Sequence, residues 1–157
     1  INSPELQIDE NCVLFIRGVG PVGYPGSAEV VNMQPPDRLL KMGINHLPTV
    51  GDGRQSGTSE SPSILNASPE AAVGGGLALL QTGDTVELNL NDGTMNALVP
   101  EAEWQARRAA WTPDIPAHQT PWQQIYRENV GQLADGGCLE LATSYQKIHR
   151  QLPRDNH

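Results

Sequence analysis

The chain has 157 residues, of which 38% are hydrophobic, and it carries a formal net charge of −8. This length suits one domain burying roughly two-thirds of its unfolded surface. The acidic balance argues against nucleic acid or an anionic membrane as partner, since both need a basic face, and no apolar run approaches the roughly 20 residues that span a bilayer.

The 16 glycines and 13 prolines predict many turns rather than long helices. The first residue is Ile1, with no signal-peptide pattern after it, which reads as a piece of a longer polypeptide. Cys12 and Cys138 are the two cysteines, far apart and in no C-x-x-C arrangement. They form neither a disulfide framework nor a metal frame, and they read as reduced thiols of a cytoplasmic protein.

In chain order, CVLFIR (Cys12 to Arg17) predicts a short buried strand. The stretch RGVGPVGYPGSAE then holds Gly18, Gly20, Gly23 and Gly26 with Pro21 and Pro25, so the chain must turn sharply. Ala28 to Met33 predicts one or two helical turns, stopped by Pro35 and Pro36. Asp37 is placed to cap a short helix, RLLKM, that Gly43 ends. Ile44 to Val50 predicts another strand, and the polar loop GDGRQSGTSESPSILNASPE leaves from its carboxyl end.

Ser68-Pro69-Glu70 has the order of a helix start: cap, first-turn proline, carboxylate. Gly74 to Gly76 keeps that helix brief and predicts close backbone packing. TVELNL alternates, with Val86, Leu88 and Leu90 on one face, and Asn91-Asp92-Gly93 turns it into TMNALV as a hairpin. Pro100 opens the helix PEAEWQARRAAW, and a proline-rich connector leads to a helical carboxyl-terminal third from Trp122. The tail LPRDNH predicts no regular structure. The sum is an α+β domain, closer to a barrel or compact sandwich than to a doubly wound sheet.

Several chemistries fail on spacing. No lysine follows Gly57, so the polar loop is no P-loop. Ser56 lacks the glycines two residues away on either side that a hydrolase elbow requires. Gly18, Gly20 and Gly23 have dinucleotide-binding spacing but sit in a proline-broken loop with no adequate helix after it. His46, His118, His149 and His157 show no metal-ligand spacing.

Three segments together do carry a pattern. GP-V-G-YPG-SAE (Gly20 to Glu29), GDGRQSG (Gly51 to Gly57) and NASPEAAVGGG (Asn66 to Gly76), in this order and with the later EAEWQARRAAW, resemble the carboxyl-terminal domain of the dihydroxy-acid and sugar-acid dehydratases. The resemblance covers nearly the whole chain, and SGTSESPSILNASPEAA is more similar to the aldonic-acid, pentonate-type branch.

The resemblance implies a β-barrel-like swivelling domain of short strands flanked by helices, with a helical carboxyl-terminal extension. The core would span residues 1–112, and the connector and extension residues 113–157. It further implies a larger amino-terminal domain of the same polypeptide that carries an iron–sulfur cluster and most ligands of a magnesium ion, a homo-oligomer, and a small sugar-acid substrate. Glu29 matches the carboxylate this domain gives to magnesium, and Ser56 matches the serine that acts as base. The implied reaction removes the C2 proton and expels the C3 hydroxyl, giving a 2-keto-3-deoxy acid. A Lewis-acidic iron would take the hydroxyl, and a cation beside the substrate carboxylate would stabilise the charge that develops.

Each residue has a plainer reading beside this one. Ser56 is by composition a turn serine, and Glu29 a solvated first-turn carboxylate. Arg54 either braces Asp52 or contacts substrate, and Thr58 either contacts substrate or steadies Ser56. His157 is a terminal residue that would close over substrate in a whole enzyme. Branched-chain dihydroxy-acid dehydratase, phosphogluconate dehydratase, a non-catalytic carbohydrate- or anion-binding module and an assembly domain stay open as alternatives.

Overall fold

Two short parallel strand pairs, laid end to end, form the centre of the fold in a computed structural model that describes residues 1–30, 33–56 and 61–145. In the first pair, β1 (Leu14–Ile16) lies beside β3 (Thr49–Gly51) with Leu14 opposite Thr49 and Ile16 opposite Gly51. In the second, β2 (Glu29–Val30) lies beside β4 (Arg54–Gln55) with Glu29 opposite Arg54. β3 reaches β4 across Asp52 and Gly53 alone, whereas β1 reaches β2 only after the glycine-rich excursion of residues 17–28. β5 (Ser63–Ile64) adds a parallel strand on the other side of β3.

All residues of β3 are buried, as expected of a central parallel strand covered on both faces. Leu14, Leu39 and Leu47 form a core cluster against which Ile8, Met33 and Ile44 pack. Leu39 comes from α1 (Asp37–Lys41). Gly43 ends this helix as read from the sequence: with φ +84° its N–H donates to Leu40 O and the Ile44 N–H to Leu39 O, both at 3.0 Å. Asp37 is the first helical residue rather than the cap, a place Pro36 takes.

The hairpin is β6 (Val86–Asn89) against β7 (Thr94–Ala97), antiparallel. The Asn89 side chain accepts the N–H groups of Asn91 and Asp92 and closes the turn, so the strand stops there and Leu90 lies exposed. A short helix α2 (Gly76–Leu79) packs on α3 (Glu101–Ala110). The carbonyls at the end of α2 are met by guanidinium groups: Arg17 donates to Leu77 O and Leu80 O, and Arg107 to Leu79 O. α4 (Pro121–Asn129) starts with Thr120, whose hydroxyl accepts the Gln123 N–H at 3.1 Å, and with Pro121 in the first turn.

The α+β class holds, and five expectations are corrected. No sheet closes into a barrel among the described residues; the strands fall into one three-stranded and two two-stranded sheets, each strand being too short to curl around a core. The predicted helical turn from Ala28 is strand β2, because its backbone pairs with β4. The strand expected from Ile44 begins only after Pro48, which has no N–H to give a ladder. Ser68 does not cap a helix. The Ser68–Pro69 bond is cis, and a 3₁₀ turn follows at Ala71–Val73 with Glu70 at its cap. From Val130 to Ser144 the carboxyl-terminal segment is not the continuous helix expected: it holds 3₁₀ turns at Leu133–Asp135 and Glu140–Ser144, and an isolated bridge joins Val130 to Leu139. Gly136 and Gly137, both at positive φ, break any continuous helix there. The tail from residue 146 lies outside the described residues. No helix among the described residues is long and apolar enough to cross a membrane.

Candidate active site

Residues 17–28 leave the strand ladder, so their amides need other acceptors. Two fully buried carboxylates supply them. Asp52, in the short link between β3 and β4, accepts the Gly18 N–H at 2.9 Å, the Val19 N–H at 3.1 Å and the Ala71 N–H at 2.8 Å. Glu70 accepts the Val22 N–H at 2.9 Å and the Gly23 N–H at 3.0 Å. Gln132 completes the Glu70 site, donating to its carboxylate at 2.8 Å and accepting its backbone N–H at 3.1 Å. The glycines are needed for this approach: a Cβ on Gly20 would collide with the Glu70 carboxylate, and one on Gly23 with the Gly18 carbonyl. The amides that a phosphate would require are therefore already bound to carboxylates, which agrees with rejecting nucleotide-binding readings of this loop.

The loop delivers the chain to Glu29. Its carboxylate lies across from Arg54, with Nη2 at 3.7 Å from Oε2 and side chains 59% and 52% exposed for Arg54 and Glu29. Arg54 thus pairs with Glu29 and not with Asp52, whose carboxylate is buried and taken up by three N–H groups. An exposed pair at this distance is worth little and leaves Glu29 accessible. Gln55, next along β4, is buried, and Ser56 follows, half-buried. The register thus sets Glu29 opposite Arg54, two positions before Ser56 in the chain. Thr58 and His157 lie outside the described residues.

Sequence reasoning assigned the fixing of this loop to none of the residues that perform it. Asp52 entered only as a partner for Arg54, Glu70 only as a first-turn helix carboxylate, and neither Gln132 nor Arg127, whose guanidinium donates to Gly23 O at 3.1 Å, entered at all. The available signal was an acid followed directly by apolar Ala71, Ala72 and Val73, a setting in which a carboxylate must find buried donors.

The profile of the family described as Dihydroxy-acid/6-phosphogluconate dehydratase C-terminal matches residues 1–138. The chain belongs to this dehydratase family. D-xylonate dehydratase of Caulobacter vibrioides is 62% identical over 157 residues, 100% of this chain and 26% of that protein. A 6-deoxy-6-sulfo-D-gluconate dehydratase of Pseudomonas putida is 40% identical over 88% of this chain and 24% of its own length. L-arabinonate dehydratase of Rhizobium leguminosarum is 37% identical over 90% of this chain and 24% of its own length. The chain thus spans about a quarter of the length of these curated relatives.

The donor sets differ for the two groups that the resemblance implies. Magnesium takes hard oxygen ligands, and the exposed Glu29 carboxylate suits it as one of several. Among the described residues no three His, Cys, Asp or Glu side chains cluster to hold a metal unaided. An iron–sulfur cluster needs thiolates, and this chain does not fit one: Cys12 and Cys138 are separate free thiols, turned to Gln7 O and Asp9 and to Gly136 O respectively.

Proposed function

We propose that this domain is the carboxyl-terminal half-site of a sugar-acid dehydratase, acting on an aldonate of the pentonate type and producing the 2-keto-3-deoxy acid. It would work with a larger amino-terminal domain of the same polypeptide, in a cytoplasmic homo-oligomer. The observation that carries this reading is the β2–β4 register, which sets Glu29 beside the strand that leads into Ser56. The 62% identity to a D-xylonate dehydratase over the full chain supports the pentonate class ahead of branched-chain acids.

In this reading Glu29 is a magnesium ligand. Magnesium, when bound, supplies positive charge beside the substrate carboxylate. Ser56 takes the C2 proton onto Oγ. The electrons of the C2–H bond move toward C3 as hydroxide leaves it, and the resulting enol tautomerises to the keto acid. A serine serves as base only when its anion is stabilised by nearby cations or N–H groups. Arg54, two positions before Ser56, would supply such a cation. Thr58 and His157 are assigned to substrate contact.

The test is turnover by the full-length enzyme on D-xylonate, L-arabinonate and a branched-chain 2,3-dihydroxy acid, with the 157-residue chain alone as control. The reading expects 2-keto-3-deoxy acid from at least one pentonate with the full-length enzyme, and neither product nor iron–sulfur absorbance from the chain alone. Turnover confined to the branched-chain acid would replace the substrate class, and turnover by the chain alone would remove the half-site idea.

A further inference from the structure

The loop that ends at Glu29 is gripped from a segment more than a hundred residues away. Gly23 donates its N–H to the buried Glu70 carboxylate at 3.0 Å. Its carbonyl accepts from Arg127, Nη2 at 3.1 Å and Nε at 3.3 Å, across a separation of 104 residues. The remaining guanidinium nitrogen of Arg127 donates to Pro116 O at 2.7 Å and lies 3.4 Å from His118 Nδ1. Gln132 ties Glu70 to the same carboxyl-terminal segment. The loop also closes on itself, since the Ser27 N–H donates to Val19 O and Gly20 O, both at 3.0 Å. Glu29 comes two residues later.

We propose that Arg127, together with Gln132 acting through Glu70, is a positioning residue for the Glu29 carboxylate. The proposal rests on the assignment of Glu29 to magnesium made above. Arg127 is buried, and among the described residues its partners are carbonyls and a ring nitrogen rather than a carboxylate. A buried charge is a weak means of stabilising a fold, but a planar guanidinium with two donors on one carbonyl fixes that carbonyl in place. A clamp on Gly23 therefore sets where the loop releases the chain into β2, and so where Glu29 stands.

The experiment compares Arg127→Lys, Gln132→Leu and Glu29→Gln with wild type in the full-length enzyme. Lysine keeps the charge of Arg127 but not the fork, and Gln132 is only half-buried, so two independent variants probe the clamp. Magnesium alone is titrated by calorimetry into each protein whose circular dichroism and thermal unfolding show it folded. Groups that orient a metal ligand typically change metal affinity by about 10- to 100-fold, and a loss of about 10-fold is expected for Arg127→Lys and Gln132→Leu. Their kcat should fall at limiting magnesium and return at saturating magnesium, which a merely structural defect would not do. Wild-type magnesium affinity in both folded variants, with Glu29→Gln impaired, would overturn the positioning role alone. Wild-type affinity in Glu29→Gln would remove the metal assignment, and the proposal with it.

Discussion

Glu29 and Arg54 face one another across the β2–β4 pair, guanidinium to carboxylate at 3.7 Å, with both side chains more than half exposed. In water such a pair gains little, because solvent screens it and two long side chains must be held still. Arg54→Gln is therefore expected to change stability by less than about 0.5 kcal/mol. If Arg54 supplies the cation that stabilises the Ser56 anion, the same change lowers kcat; if it meets only the substrate anion, KM rises with kcat little altered. Denaturant midpoints and steady-state kinetics of the full-length enzyme measure the two effects separately.

Gly18 and Gly23 sit in the same loop but owe their identity to different causes. Gly18 has φ +81° and open space where a Cβ would stand. Gly18→Ala should cost only the left-handed conformation, about 1 kcal/mol. At Gly23 the added carbon meets the Gly18 carbonyl, a backbone atom that cannot step aside. Gly23→Ala should cost about 3 kcal/mol or more, since the loop must deform and lose its grip on Glu70. Equal unfolding midpoints for the two variants would contradict this account of the loop.

Asp84 supplies a pH signature away from the site. Hydrogen bonds from the Arg107 guanidinium, at 2.6 and 2.9 Å, hold its carboxyl below the ordinary value of 3.8, against the opposing effect of burial. A depressed folded-state pKa contributes stability that is present above the unfolded value and is lost as pH falls through the folded one. Wild type should thus exceed Asp84→Asn in stability at neutral pH, and the gap should close below about pH 4. Urea midpoints across that range check the direction; a gap that widens on acidification would rule it out.

The elements that were legible in the sequence are those with local causes. Gly43 ends α1 through its own left-handed backbone, Asn-Asp-Gly closes the β6–β7 hairpin, and Pro100 starts α3. β2 was not legible because two residues have no periodicity, and their extended form comes from pairing with β4. Asp52 and Glu70 were misread for a related reason. Their partners are main-chain amides at Gly18, Val19, Val22 and Gly23; the apolar run after Glu70 signals a buried carboxylate, but no side-chain pattern says which backbone donors it meets. Glu29 and Ser56 were singled out only by family resemblance. By composition alone, a serine after Gly51-Asp52-Gly53 is a turn residue.

Ser56 offers the sharpest test of the proposed chemistry. Ser56→Ala in the full-length enzyme should abolish turnover while fold and metal content stay intact. The hydroxyl lies just past β4 in a glycine-flanked loop and is only half-buried, so its removal should move stability by less than a typical core change. Loss of activity then cannot be assigned to unfolding. Removing a general base typically costs roughly 10² to 10⁴ in rate, and more when the base is stabilised by a charged network. Substrate should still bind, since Glu29 and Arg54 remain. Exchange of the C2 hydrogen with solvent should vanish together with dehydration, because both need the same proton removed. A Ser56→Ala enzyme that still exchanged the C2 hydrogen at the wild-type rate would place the base elsewhere and leave the loop from Gly51 as a binding loop alone.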